Sequence, residues 1–477
     1  MLMHENQSGK ESNTEAQNLK ESLFMVKKNG LLQIDDKQIK DADEFCEGYK
    51  VFLDVSKTER ESIACAVSMA EKRGFEKFDL NKKYKPGDKV YYVNREKSLI
   101  VAVIGEKGVK EGTKIVVAHA DAPRLDIKPN PLYEANDLAM LKTHYYGGIK
   151  KYQWTAMPLS LHGKIIKKDG TNIDVRIGED ENDPVFCVTD LLPHLAKDQM
   201  SKPLQKAIDA ENLNILIGSR PFRDDKDSDL VKLNIMKLLN EKYGIIESDF
   251  LSAELEMVPA FKASDVGFDR SMIGAYGHDD RVCAYPALMA VLDYNKTPKN
   301  TIMAILADKE ETGSDGNTGM NSAFFRYFIA DLSDMDGVEY RHVLTKSKCL
   351  SADVNGAFDP TYSSVYDPAN SCYLNNGVVI TKYTGSGGKY STSDASAEFM
   401  AYVRGFLEQN KVLWQTGELG KVDAGGGGTI AKYMANLDVD VVDLGVPVLS
   451  MHAPFEVVSK IDVYMAYKAV SSFFNAD

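Results

Sequence analysis

The 477-residue chain is poor in cysteine, in long apolar runs and in positive charge, and each shortage removes a class of protein. Its six cysteines, Cys46, Cys65, Cys187, Cys283, Cys349 and Cys372, are scattered, with no Cys-x-x-Cys pair and no dense framework. That excludes a secreted disulfide scaffold and fits reduced thiols in the cytoplasm. No stretch approaches the roughly 18 uncharged apolar residues that a membrane span needs, and the polar opening MLMHENQSGKESNTEAQNLKESL holds no signal-peptide core. Neither secretion nor membrane insertion is expected. A net charge of −13 leaves no general surface for phosphates, so nucleic acid is not an expected partner. There is no internal repeat, and low complexity is confined to Gly425 to Gly428.

What is present is a globular composition, 44% hydrophobic and 27% charged. The chain exceeds the roughly 250 to 300 residues at which one hydrophobic core stops growing, so two folding units are expected. Residues 1 to about 20 read as a mobile tail. Folding is expected to begin near Ser56 to Arg73, an amphipathic helix by the spacing of Ile63, Ala64, Val67 and Ala70. Apolar runs at Lys89 to Asn94, Leu99 to Ile104 and Lys114 to Ala118 predict strands, the last two buried on both faces. From about Asn130 to Asp265 the pattern changes to short alternating strands, such as Lys164 to Lys167 and Asn172 to Ile177, separated by Gly and Asp turns. Afterwards helices and strands alternate again: Arg281 to Tyr294, Thr301 to Ala307, Ser393 to Asn410 and Lys460 to Phe474. The expectation is an α/β fold with a mixed central sheet flanked by helices, formed by residues 21–130 and 266–477 and interrupted by a β-rich insert over 131–265.

Five short motifs sit beside these runs. In KIVVAHADAPRLD an apolar strand ends in His119, Ala120 and Asp121, which sets a metal-binding imidazole next to a carboxylate able to orient it, although a structural histidine bonded to an aspartate reads the same. In YGHDDRVCAY, Asp279 and Asp280 stand together before a helix; adjacent carboxylates need a cation, which a metal pair, Arg281 or the helix N-terminus could supply. In TIMAILADKEETGSDG a strand ends in Glu310 and Glu311, one suited to take a proton from water and the other to bind metal. Asp353 follows the apolar start of CLSADVNGAFDP, and His452 follows the strand-like run of VDLGVPVLSMHAPFEVV. Together these motifs offer oxygen and nitrogen donors without thiolate, a set suited to zinc, manganese or cobalt.

In chain order, HAD, HDD, KEETG, SAD and SMHAPFE resemble the aspartyl aminopeptidase family of two-metal exopeptidases, over nearly all residues after about 40. The resemblance implies a cytoplasmic metalloaminopeptidase acting on peptides with two divalent ions per subunit, zinc first and manganese or cobalt as alternatives. It implies that His119 and Asp353 bind one ion, Glu311 and His452 the other, and that Asp279 bridges them. Asp280 is the alternative bridge or a supporting residue; Asp279 is preferred because the family follows its bridging aspartate with an amide or acid. Glu310 would be the general base and Asp121 its catalytic support. VTDLLPHLAK resembles the insert segment whose histidine reaches a catalytic centre, the neighbouring subunit's, and so assigns His194 to substrate binding; a buried core histidine is the other reading of that position. His144, His162 and His278 match no role. Gly356 stands where relatives that prefer acidic residues carry histidine, so an acidic preference is not implied. The resemblance also implies a homo-oligomer, a dodecamer built from dimers that the insert makes. The alternative activity is a two-metal amidohydrolase acting on small acylated amino acids.

Overall fold

Uniformly apolar runs make strands that can be covered on both faces, and Ser98–Val103, Thr113–His119 and Thr301–Ala307 are buried along their whole length. The structure is a computed structural model that describes residues 14–25, 29–224 and 226–477. These runs lie at the centre of a nine-stranded sheet ordered Glu76–Lys77, Lys89–Asn94, Ser98–Val103, Thr301–Ala307, Thr113–His119, Lys348–Ser351, Asp440–Gly445, Val378–Thr381 and Trp414–Thr416. Thr113–His119 runs parallel to both its neighbours, Thr301–Ala307 and Lys348–Ser351, whereas Ser98–Val103 pairs antiparallel to Thr301–Ala307. The sheet is therefore mixed, as expected. Alternate side chains of the central strand enter two cores. Val116 and Ala118 face the layer formed by Asp36–Val55, Glu59–Glu71, His278–Leu292 and Lys460–Asn475. Ile115 and Val117 face Phe324–Asp336 and Ala431–Ala435.

Two differences from the sequence reading concern the first seventy residues. Residues 1–13 of the expected tail lie outside the described residues, but Glu15–Leu23 forms a helix, started by a reciprocal cap between Thr14 and Gln17. The helix Asp36–Val55 also precedes Ser56, where folding was expected to begin, and it buries Ala42, Cys46, Tyr49, Phe52 and Leu53. The expected Ser56 to Arg73 helix is Glu59–Glu71, because Thr58 and Glu61 cap it and set its first turn.

A second, seven-stranded sheet is built from residues 124–259, in the order Asn172–Ile177, Leu159–Ile166, Ala253–Pro259, Arg124–Ala135, Leu138–Tyr146, Ile215–Gly218 and Cys187–Val188. Its core holds Leu125, Trp154, Leu159 and Met257. A third, five-stranded sheet joins Ser264–Val266, Met272–Ala275, Glu456–Ser459, Pro447–Leu449 and Asn355–Gly356. Its strands adjoin three of the candidate ligands: Asn355 follows Asp353 by two residues, Ala275 precedes Asp279 by four, and Leu449 precedes His452 by three. Among the described residues, no helix is long and apolar enough to cross a membrane.

Candidate metal centre

The three central parallel strands end side by side, and open α/β sheets gather ligands at the carboxyl ends of their strands. His119 is the last residue of Thr113–His119, Glu310 and Glu311 follow Thr301–Ala307, and Asp353 follows Lys348–Ser351. Asp279 enters from the first turn of His278–Leu292, and His452 from the loop after Pro447–Leu449.

Asp279 lies between the two histidines: its Oδ1 is 3.1 Å from His119 Nε2 and its Oδ2 is 3.2 Å from His452 Nε2. Glu311 Oε2 is 3.4 Å from His452 Nε2. Glu310 Oε2 and Asp353 Oδ1 stand 3.8 and 3.9 Å from His119 Nε2. His119, Glu310 and Asp353 thus offer donor atoms within 4.8 Å of one another, and so do His119, Asp279 and Glu311. Both imidazoles present Nε2 to this space because Nδ1 is taken. His119 Nδ1 donates to the Asp121 carbonyl at 3.0 Å and His452 Nδ1 to the Gly148 carbonyl at 2.8 Å.

The residues fit a cation. His119 Nε2, Asp279 Oδ1 and Glu311 Oε1 are buried without a hydrogen-bond partner, which is costly for polar groups that have nothing else to bind. Burial, with neighbouring carboxylates, pushes the Glu311 and Asp353 carboxyls well above the ordinary range. Burial likewise raises Glu310 to about 7. Burial opposes the charge on His452, but Asp279 and Glu311 raise its imidazole to about 10. Carboxylates crowded beyond the charge that two imidazoles supply, with nitrogen and oxygen donors only, suit zinc or a similar divalent ion.

A surrounding set of bonds aims these groups. Asp121 accepts from the backbone N–H of Glu310 and of Glu311, both at 3.2 Å, one on each oxygen, and from the Tyr146 hydroxyl at 2.7 Å. Asp280 accepts from the His119 backbone N–H at 3.2 Å, and its second oxygen is buried and unpaired. The peptide bond between Asp279 and Asp280 is cis. Glu456, the last residue of SMHAPFE, accepts from the backbone N–H of His452 at 2.7 Å and of Asp279 at 3.1 Å. Its spacing of four from His452 was the only available signal. Tyr146 and Gly148 were missed altogether, since they act through one hydroxyl and one carbonyl.

His194 is not brought to this centre within the chain. It sits exposed in the turn Pro193–Leu195, beside the exposed Leu191, Leu192 and Leu195, so it is not a core histidine. His278 is buried between the Tyr49 hydroxyl and the Ile273 carbonyl, and burial lowers it to about 3, which makes it a neutral structural residue. His162 is bound to Glu61 and Glu179, and the exposed His144 bonds the Tyr145 carbonyl. Gly356 lies under Leu419, whose Cδ1 stands 3.0 Å from where a Cβ would project.

The chain is similar to known proteins over most of its length. The family described as aminopeptidase I zinc metalloprotease (M18) matches residues 52–474. A probable M18 family aminopeptidase 1 of Clostridium acetobutylicum is 51% identical over 461 residues, covering 95% of this chain and 99% of that protein. The crystal structure of an M18-family aminopeptidase from Thermotoga maritima superposes with a TM-score of 0.91 at 44% identity, covering 95% of this chain and all of that one. The mApe1 dodecamer of S. cerevisiae shares the fold, with a TM-score of 0.74 at 20% identity over 91% of this chain and 97% of that chain.

Proposed function

The chain belongs to the M18 family of zinc aminopeptidases, and from that premise we propose how its residues divide the work of removing single residues from peptide N-termini. His119 and Asp353 hold one divalent ion, Glu311 and His452 a second, and Asp279 serves both; zinc is the native metal, with manganese or cobalt as functional substitutes. The observation that carries this reading is Asp279, whose two oxygens face the two histidines at 3.1 and 3.2 Å. Asp280 supports the bridge by holding the His119 backbone.

When bound, such ions polarise the scissile carbonyl and acidify water beside it. Glu310 is the general base. It takes a proton from the water whose oxygen bonds to the carbonyl carbon, and returns that proton to the nitrogen that leaves as the C–N bond breaks. A carboxyl that burial already pushes up to about 7 is suited to both transfers near neutrality. Asp121 keeps Glu310 and Glu311 in register by holding their backbone N–H groups.

Residues 131–265 act as an inserted dimerisation and lid domain on a catalytic domain formed by 21–130 and 266–477. The exposed Leu191, Leu192 and Leu195 around His194 support burial against another subunit, where His194 hydrogen-bonds the oxyanion of a neighbouring centre. The dodecameric relative supports a dodecamer built from dimers. Six free cysteines suit the cytoplasm.

Metal analysis of dialysed protein tests the assignment: two zinc ions per chain in the wild type, with Asp279→Ala losing both. A fully active wild type holding a single ion per chain would overturn it.

A further inference from the structure

Both halves of the metal centre are braced by one short segment of the seven-stranded sheet. Tyr146 ends the strand Leu138–Tyr146, and its hydroxyl donates to Asp121 Oδ2 at 2.7 Å. That bond fixes one oxygen of a carboxylate that also holds the backbone N–H groups of Glu310 and Glu311 and places Oδ1 3.4 Å from His119 Nδ1. The Asp121 carbonyl in turn receives His119 Nδ1. Two residues beyond Tyr146, the Gly148 carbonyl receives Nδ1 of His452 on the other side of the centre.

The segment lies flush against the ligands. A Cβ on Gly147 would stand 3.3 Å from Glu311 Oε2, and its φ of +74 disfavours any other residue. A Cβ on Gly148 would stand 3.2 Å from His452 Nδ1. Tyr146 itself is held firmly, with the Arg124 guanidinium 3.9 Å from its ring centroid. Arg124, in the adjacent strand, is joined to Glu59 at 3.3 Å and to Glu256 at 3.2 Å. The ring's position is thereby set by the junction between the seven-stranded sheet and the helix Glu59–Glu71.

We propose that Tyr146 and Gly148 are positioning residues through which the seven-stranded sheet sets the orientation of His119 and His452, so that metal affinity depends on how that sheet is seated. The inference rests on the ligand assignment proposed above. It reaches beyond that assignment because neither residue touches the reacting atoms. The seven-stranded sheet, from whose edge strand Cys187–Val188 the loop with the proposed subunit contacts follows, would thereby also govern how tightly the centre holds its ions.

The test is zinc affinity by chelator competition on the full-length wild type, Tyr146→Phe, Gly148→Ala and Tyr145→Phe. Partners that orient metal-binding histidines typically contribute 10- to 100-fold in affinity. Tyr146→Phe and Gly148→Ala are each expected to weaken zinc binding by about that factor, with far-ultraviolet circular dichroism unchanged. Tyr145, exposed and adjacent, is the control and should match the wild type. A merely structural tyrosine would lower the melting temperature of the metal-free protein and leave zinc affinity intact. Zinc affinity within twofold of wild type in both variants overturns the proposal, as does an equal loss in Tyr145→Phe. If Tyr146→Phe does not fold, Gly148→Ala alone decides. A wild type that binds fewer than two zinc ions overturns the ligand assignment, and this inference with it.

Discussion

Glu456 shows how much of the centre is held by residues outside the proposed ligand set. Its two oxygens accept the backbone N–H groups of His452 and Asp279, both proposed ligands, although it starts the strand Glu456–Ser459 while they lie in a loop and in a helix. Glu456→Ala leaves two buried N–H groups unpaired, at about 1 to 3 kcal/mol each; chemical denaturation of the metal-free protein should show that loss, and zinc affinity should fall with it. An unchanged denaturation midpoint would contradict the role. Such residues mark the limit of what could be read in advance. His119, Glu310, Glu311 and Asp353 were legible because each follows an apolar strand, and strand ends are where α/β sheets place chemistry. Tyr146 and Gly148 were not, because they work through backbone atoms or through Asp121, and spacing along the chain carries no trace of that; Glu456 left only its spacing of four from His452. His194 was legible only by resemblance, since its own surroundings are exposed leucines.

Among the elements, the strand Asp440–Gly445 presses directly on the Asp353 segment. A Cβ on Gly445 would lie 1.6 Å from the Asp353 carbonyl oxygen, too close for any side chain. Gly445→Ala must therefore displace the Asp353 backbone, and the expected result is loss of one zinc ion per chain and a destabilisation of about 1 to 3 kcal/mol, read by metal analysis and thermal melting. Full zinc content would show that Asp353 is not a ligand. The terminal helix Lys460–Asn475 matters in another way. Phe473 is completely buried under the nine-stranded sheet, and Phe473→Ala should cost about 3 to 5 kcal/mol in denaturant. The strands and this helix were readable because uniform apolar runs and helical spacing survive at the core. Asp36–Val55 was overlooked because its buried stripe, Ala42, Cys46, Tyr49, Phe52 and Leu53, is diluted by aspartate, glutamate and lysine on three sides. The seven-stranded sheet begins at Arg124, ahead of the change of pattern at Asn130, because its first strand continues almost directly from Asp121.

Across the whole molecule, the seven-stranded sheet meets the start of the helix Glu59–Glu71 at a buried ionic cluster that no motif announced. Lys57 Nζ lies 2.7 Å from Glu179 Oε1, and His162 joins Glu179 at 3.0 Å and Glu61 at 2.7 Å. Burial works against the Glu179 carboxylate, but the hydrogen bond from His162 and the charge of Lys57 hold it down at about 2 instead of its ordinary 4.5. Its folded form therefore binds a proton less readily than its unfolded form. The stability it contributes is present above pH 4.5 and is lost as pH falls towards 2. Melting of the metal-free protein should show that slope in the wild type and a shallower one in Glu179→Gln; equal slopes would contradict it. The central claim is that two ions and Glu310 together remove N-terminal residues. Its most direct test is release of single amino acids from unblocked peptides by wild type and Glu310→Gln, with zinc content measured in the same samples. The account predicts that both proteins hold two zinc ions per chain, that the wild type works only when loaded, and that Glu310→Gln is slower by about 10² to 10⁴. A loaded Glu310→Gln that turns over like the wild type, or a loaded wild type that leaves free peptides untouched, would contradict it.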